Sequence, residues 1–326
     1  MTVRGGKSPQ NRRAAALPAR GRLVAPPGVT LAAALRTVLP EASWSDLRRL
    51  CHTGKVTVSE TLVLDPAMRL DGGEPVAWNL GAPHREPRRG PTARVAFEDL
   101  HLVVIDKPAG VSSVPYERRE TGTALDLVRD AWRAEGRAAT RTPLYTVHRL
   151  DKETSGLLCF AKTKVGERGL HRIFKQHLAE RTYLAVAHGR VRAERIESHL
   201  LADRGDGLRG SRRPGKHPAV GGLRAVTHVV PLEHLRDATL CRVTLETGRT
   251  HQIRIHLAES GHPLLGEKVY VRDYLRAGNR PLPAPRLLLH AETLGFVHPI
   301  TGTPLHLESD PPPEFQIALK TLRPRR

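Results

Sequence analysis

The densest chemistry in the chain lies in the string His148-Arg149-Leu150-Asp151-Lys152-Glu153-Thr154-Ser155-Gly156-Leu157-Leu158. One carboxylate, Asp151, stands between an arginine and a lysine at the end of an apolar approach from Leu144 to Leu150. A Thr-Ser-Gly turn then feeds the apolar run Leu157 to Ala161. This layout predicts a loop that holds one acidic group over a strand. Nearby positive charge favours the ionised form of an acid, and a positioned carboxylate serves as nucleophile or base. A plain surface ion pair beside a turn would share the same core, so the spacing alone leaves both readings open.

Two further stretches carry polar groups in ordered patterns. Arg181 to Gly189 alternates as a strand and contains Tyr183. Cys241 to Leu245 also reads as a strand, and Gly248 permits a tight turn. Arg249-Thr250-His251-Gln252-Ile253-Arg254-Ile255-His256-Leu257 then opens with a phosphate-sized cluster of donors.

Taken together these stretches resemble one known family. The first string resembles the HRLDxxTSGLL signature of the RluA-type pseudouridine synthases, with seven or more specified positions in register. Arg181 to Gly189 resembles the family motif Lys-x-Tyr-x-Ala-x-x-x-Gly, with Arg181 in place of the lysine. Leu245 to Leu257 resembles LxTGRTHQIRxHL at nearly every position. EDLHLVVIDKPAG, ending at Gly110, resembles the family's first block. His262 to Glu267 resembles His-Pro-x-x-Gly-Asp, with Glu267 for the aspartate, a residue that in the family braces the fold. Arg286 to Ala291 and Phe296 to Pro299 resemble the last segment, so the likeness runs from Val95 to Phe315.

That resemblance implies an α+β fold: a mixed, mainly antiparallel sheet with flanking helices. It implies an isomerase that converts uridine in RNA to pseudouridine with no cofactor and no metal. Asp151 maps to the catalytic aspartate, acting as nucleophile or base. Arg254 maps to its cationic partner, Tyr183 to the ring that stacks on the target uracil, and Arg149 to the side chain that fills the place the uridine vacates. Ile253 and Leu257 would line an apolar wall beneath the base. Lys107, His148, Arg249, His251 and Gln252 are expected at the RNA.

The composition agrees with such a partner. The chain has 326 residues, with 52 Lys+Arg against 33 Asp+Glu, a formal net charge of +19. That excess points to nucleic acid or an anionic surface. No apolar run approaches the roughly 20 residues a membrane-spanning helix needs. The basic N-terminus lacks an apolar segment and a cleavage site, so it does not read as a secretory signal. Cys51, Cys159 and Cys241 are far apart and form no CxxC pair, which predicts three reduced thiols in a cytoplasmic protein. The 17 histidines are scattered with no metal-binding spacing.

In order, residues 1–22 read as a basic disordered arm, 23–82 as a small α/β module, 83–94 as a linker and 95–320 as the catalytic domain. Within the last, 203–222 reads as a flexible basic loop, and 321–326 form a basic tail. The module should hold a helix from Thr30 to Leu39, stopped by Pro40. Ser43 and Asp46 should form a capping box on a second helix carrying Leu47, Leu50 and Cys51, and Gly54 should end it before the strand Lys55 to Val58. This order resembles the S-four RNA-binding domain, which implies that Arg48, Arg49 and Lys55 face phosphates. The family's Val-Asn-Gly is here Val58-Ser59-Glu60, and its Gly-Asp is here Gly73-Glu74. Further helices are expected over Thr123 to Glu135 and Val165 to Leu178, the second with Leu170, Phe174 and Leu178 on one face. Large-subunit ribosomal RNA is the favoured substrate, with transfer RNA as the alternative. A non-catalytic RNA-binding protein and a two-carboxylate glycosidic hydrolase are the other classes weighed.

Overall fold

The computed structural model describes residues 17–82, 92–115, 120–137, 142–212, 215 and 221–324. Most of the expected arm and linker, part of the 203–222 loop and the last two residues of the tail lie outside the described residues. The chain divides into two compact units, Met1–Gly90 and Pro91–Arg326.

The first unit is a four-stranded antiparallel sheet with two helices. In chain order it runs β1 (Arg20–Val24), α1 (Leu31–Val38), α2 (Trp44–His52), β2 (Val56–Val58), β3 (Thr61–Leu62) and β4 (Pro75–Asn79), with sheet order β1-β4-β2-β3. Residues 20–22, expected in the disordered arm, instead belong to β1, where Arg20 to Arg22 pair with Ala77 to Asn79. The helices start and stop where their caps require. Thr30 Oγ1 accepts from the Ala33 amide, and Ser43 and Asp46 form the reciprocal capping box. Leu31 and Leu35 from α1 and Leu47, Leu50 and Cys51 from α2 bury against Val56, Val76 and Trp78 of the sheet. Each fully buried leucine there contributes about 2 kcal/mol. Glu74, in the place of the family's aspartate, accepts the Asp71 and Gly72 amides and closes the turn before β4.

The second unit is built on one large mixed sheet. Its elements are β5 (Arg94–Glu98), β6 (Leu102–Lys107), α3 (Ala124–Ala134), β7 (Tyr145–Thr146), β8 (Ser155–Ala161), α4 (Lys164–Lys175), β9 (Glu180–His188), β10 (Glu194–Leu201), β11 (Gly210–Ser211), β12 (Leu223–Leu235), β13 (Ala238–Leu245), α5 (Gln252–Glu259), α6 (Arg272–Arg276), β14 (Leu289–Val297), β15 (Pro304–Glu308) and α7 (Pro313–Leu322). The strands run β11-β10-β12-β13-β9-β14-β8-β6-β5, with β15 on β14 and β7 on β8. Among the described residues only β14 and β8 pair in parallel.

Strand β8 shows why the sheet forms here. All seven of its residues are buried, because both faces are covered, as the unbroken apolar run from Leu157 requires. Leu158 and Phe160 pack with Val128 and Trp132 of α3. Leu157, Cys159 and Ala161 face the other way, toward Leu170 of α4. A third cluster places Phe315 and Leu319 of α7 against Leu184, Val186 and Leu288.

Two expectations are corrected. Helix α4 ends at Lys175, short of Leu178, because His177 turns left-handed at φ 59°. Leu178 is consequently 65% exposed and shares no face with Leu170 and Phe174. The first half of the 203–222 stretch is also held in place: Gly210 and Ser211 pair with Leu201 and Leu200, and Arg204 reaches Asp206, Glu259 and Asp273. No helix among the described residues is long and apolar enough to cross a membrane.

Candidate active site

Asp151 lies in the loop between β7 and β8, and that loop is clamped from behind. Ser113 Oγ donates to the Leu150 carbonyl at 2.7 Å and accepts the Leu150 amide at 3.0 Å. Gly110 donates its amide to the Lys152 carbonyl, and the Thr154 amide closes a turn onto the Asp151 carbonyl. Beneath the loop the Lys107 ammonium donates to the carbonyls of Pro108, Val111 and Lys152. With its backbone fixed on both flanks, Asp151 turns a carboxylate that is 20% exposed toward α5.

Helix α5 supplies the other half of the site. His251 caps it with φ 58°, a left-handed conformation uncommon for a residue with a side chain. Three residues on, the buried Arg254 points Nη1 at Asp151 Oδ2, 3.4 Å away. Its other nitrogens bind Glu267, Nε to Oε2 at 2.7 Å and Nη2 to Oε1 at 2.8 Å. Glu267 Oε1 also accepts the amides of Lys268, Val269 and Tyr270, so the pair is fully bonded inside the protein. The Tyr270 ring lies 5.4 Å from the Arg254 guanidinium, and its hydroxyl bonds His251 Nδ1 at 2.8 Å. That bond presents His251 Nε2 to Asp151 Oδ1 at 3.9 Å. Burial lowers the His251 pKa, which keeps the ring neutral at pH 7, and burial pushes the Tyr270 phenol up to about 12.

Asp151, His251 and Arg254 open onto one cavity of about 940 Å³. Tyr183 of β9, paired with Val243 and Ala291, stands in its wall, and burial raises its pKa. Among the described lining residues Asp151 is the sole carboxylate, set among Arg149, Lys152, Lys175, Arg181, Arg249 and Arg254. A lone anion ringed by cations in a deep cleft fits a polyanionic substrate that brings its reacting group to the acid.

Comparison with known proteins agrees with this geometry. The family model for RNA pseudouridylate synthase matches residues 101–259, the span holding Asp151, Tyr183 and Arg254. A Zymomonas mobilis protein named ribosomal large subunit pseudouridine synthase D is 35% identical over 306 residues, covering 90% of this chain and 94% of the relative. The chain belongs to the RluA-type RNA pseudouridine synthases. A Bacillus subtilis protein named as an uncharacterized RNA pseudouridine synthase is 36% identical over 231 residues, covering 70% of this chain and 71% of its own. The solved structure of human RNA pseudouridylate synthase domain containing 1 shares the fold, with TM-score 0.54 at 23% identity over 70% of this chain and 86% of the human one. The protein is thus an isomerase acting on RNA.

The synthase gathers Arg149, Asp151, Tyr183, Ile253 and Arg254 around one cavity, together with His148, Arg249 and His251. Arg149 is exposed at the cleft. His148 stacks on Phe174 at 4.4 Å, and its Nε2 accepts the Cys159 amide. Burial pushes its pKa down to about 3, so it is a neutral ring. Arg249 Nε donates to the Arg224 carbonyl at 3.0 Å.

Several expected contacts are not made. Lys107 is 0% exposed. Its ammonium is committed to three carbonyls, so it positions the Asp151 loop and does not face RNA. Gln252 is buried, with Oε1 on Thr247 and the Arg249 amide and Nε2 on Val226 and Thr227. Its bonding capacity is spent inside the fold. Leu257 sits one helical turn beyond Ile253, in the core and away from the cleft. In the first unit Lys55 bonds the Ala82 carbonyl, while Arg48 and Arg49 are both exposed, Arg49 beside Asp46 at 2.6 Å.

The sequence reading missed Ser113 and Tyr270. Neither falls in a patterned string: Ser113 follows the Pro108-Ala109-Gly110 turn by three residues, and Tyr270 follows Glu267 by three in an irregular stretch.

Proposed function

We propose that Asp151 acts on the ribose of a uridine in large-subunit ribosomal RNA, at C1′ or on a neighbouring ribose proton. The reaction breaks the N1 to C1′ bond, turns the uracil over and rejoins it through C5, with no net redox change. The observation that carries the assignment is the isolation of Asp151 as the sole acid among the described residues of a cation-lined cleft. A carboxylate in a polyanion site is held ready only by a fixed cation, and Arg254 supplies one.

The target uridine must leave its stack to reach Asp151, which costs a few kcal/mol. Arg149, exposed next to the acid, fills the vacated place, and Tyr183 packs on the extruded base. The names of the bacterial relatives and the net charge of +19 support a ribosomal substrate in the cytoplasm. We assign the first unit to RNA binding. Its exposed Trp44 lies under the Arg36 guanidinium at 5.7 Å, with Arg48 on the same helix as Trp44.

Tritium release from RNA labelled at C5 of uridine tests the reading, with ribosomal and transfer RNA assayed separately. Wild type should release tritium from ribosomal RNA, and Asp151→Ala should release none while binding RNA with similar affinity. Equal loss of binding and turnover would make Asp151 a structural residue. Release from transfer RNA alone would overturn the substrate class.

A further inference from the structure

We propose that a second, smaller cavity of this synthase receives the base of the nucleotide next to the target uridine. The inference rests on the reading of the Asp151 cleft as the uridine site. The cavity measures about 160 Å³ and is lined by Leu200, Leu201, Arg209, Leu223, Gly248, Arg249 and Thr250. Gly248, Arg249 and Thr250 also line the Asp151 cavity, so one thin wall separates the two.

Each part of the lining suits a base between two phosphates. The floor is apolar: Leu200 and Leu201 end β10, and Leu223, 60% exposed, opens β12. Pairing of Leu201 with Gly210 fixes the strand that follows Arg209. The rim is cationic. Arg209 is exposed, Arg249 is tethered through Nε to the Arg224 carbonyl, and among the described residues no carboxylate pairs with either. Gly248, which lines both cavities, has no side chain, so the Arg181 guanidinium on the Asp151 side lies close against it; a Cβ there would stand 2.5 Å from Arg181 Nη1.

Physical chemistry then selects the occupant. Extruding the target uridine strips its neighbour of one stacking face. Single-stranded bases recover that loss on flat apolar or aromatic surfaces while arginines hold the backbone. A free phosphate would gain nothing from three leucines, and an apolar peptide nothing from two unpaired arginines. The small volume fits one base and no more, which makes this cavity a candidate source of sequence preference at the adjoining position.

Two measurements decide it. With p-benzoylphenylalanine in place of Leu201, irradiation on unmodified ribosomal and transfer RNA transcripts should crosslink the nucleotide adjoining the uridine that wild type converts. Separately, Leu201→Trp, which fills the cavity, should raise KM about tenfold with kcat held within about twofold, the scale of one lost base-stacking contact. Crosslinks scattered along the RNA or several nucleotides distant, or a fall in kcat at unchanged KM, would overturn the proposal. Conversion by unlabelled wild type is scored on its own. Its absence would remove the functional reading, while one narrow crosslink or none would still decide whether this cavity takes a base.

Discussion

Glu267 holds Arg254 by two bonds, to Nε at 2.7 Å and to Nη2 at 2.8 Å, and so leaves Nη1 as the guanidinium nitrogen turned to Asp151. The carboxylate of Glu267 is fully buried. In this site the glutamate aims the cation and the cation steadies the proposed catalytic acid. Glu267→Gln keeps the shape and removes the charge, leaving the buried guanidinium with Asp151, at 3.4 Å, as its remaining anionic partner. Breaking a buried pair costs about 3–5 kcal/mol. The variant should melt well below wild type and lose more than about tenfold in single-turnover rate, with RNA affinity little changed. Wild-type turnover in Glu267→Gln would show that Arg254 needs no aiming.

The hairpin between β2 and β3 carries an avoidable strain. Ser59 and Glu60 both have positive φ, 46° and 64°, where the family's Asn-Gly would sit at ease. Relieving that conformation is worth about 1 kcal/mol. Ser59→Asn combined with Glu60→Gly should therefore slow hydrogen exchange at the Val56 and Val58 amides about fivefold. Unchanged or faster exchange would mean the turn stores no strain.

Much of the site is legible from sequence because its parts sit in contiguous strings. Asp151 and Arg149 share one loop, and Ile253 and Arg254 share one helix, so a local pattern carries them. What the strings do not reveal is which polar groups the fold consumes. Lys107 reads as a turn lysine free to meet the RNA, yet β6 carries it under the Asp151 loop, where three carbonyls claim it. Gln252 sits beside two exposed-looking donors, but the left-handed turn at His251 rotates it inward onto Val226 and Thr227. Tyr270 has no periodic signal because its role depends on two residues distant in sequence, His251 and Arg254. The layout of the large sheet, with β14 between β9 and β8, follows from pairings across more than a hundred residues that no window of sequence contains.

Acid stability should trace to Glu98. Burial alone would raise its pKa, but hydrogen bonds from Arg137, Lys162 and Trp132 outweigh burial and bring it to about 2 from an ordinary 4.5. A depressed carboxylate stabilises the fold above its unfolded pKa and loses that contribution as pH falls through its folded one. The loss should therefore run from pH 4.5 down to about 2, and be on the order of 2 kcal/mol. Glu98→Gln should flatten the unfolding free energy across that window and lower stability at pH 7. An unaltered acid limb would place the titration elsewhere.

Gly156 is a point of close backbone approach behind the Asp151 loop. It pairs with Ala291 across the parallel β8–β14 contact and has φ 109°. A Cβ there would lie 2.2 Å from the Ala291 carbonyl oxygen and 2.7 Å from its amide nitrogen, both backbone atoms in the middle of the sheet. Gly110 offers a control: its φ is 79°, but nothing lies within 4 Å of the added Cβ. Gly110→Ala should cost about 1 kcal/mol, the conformational penalty alone. Gly156→Ala adds a backbone clash and should cost about 3 kcal/mol or more. Because β8 begins four residues after Asp151, turnover should fall with it, through displacement of Ser155 from His290 and Arg286. Denaturant melts of the two variants, read beside single-turnover rates, separate conformational strain from steric displacement. Equal costs for both would mean that the sheet yields at Ala291 and that the loop is not anchored there.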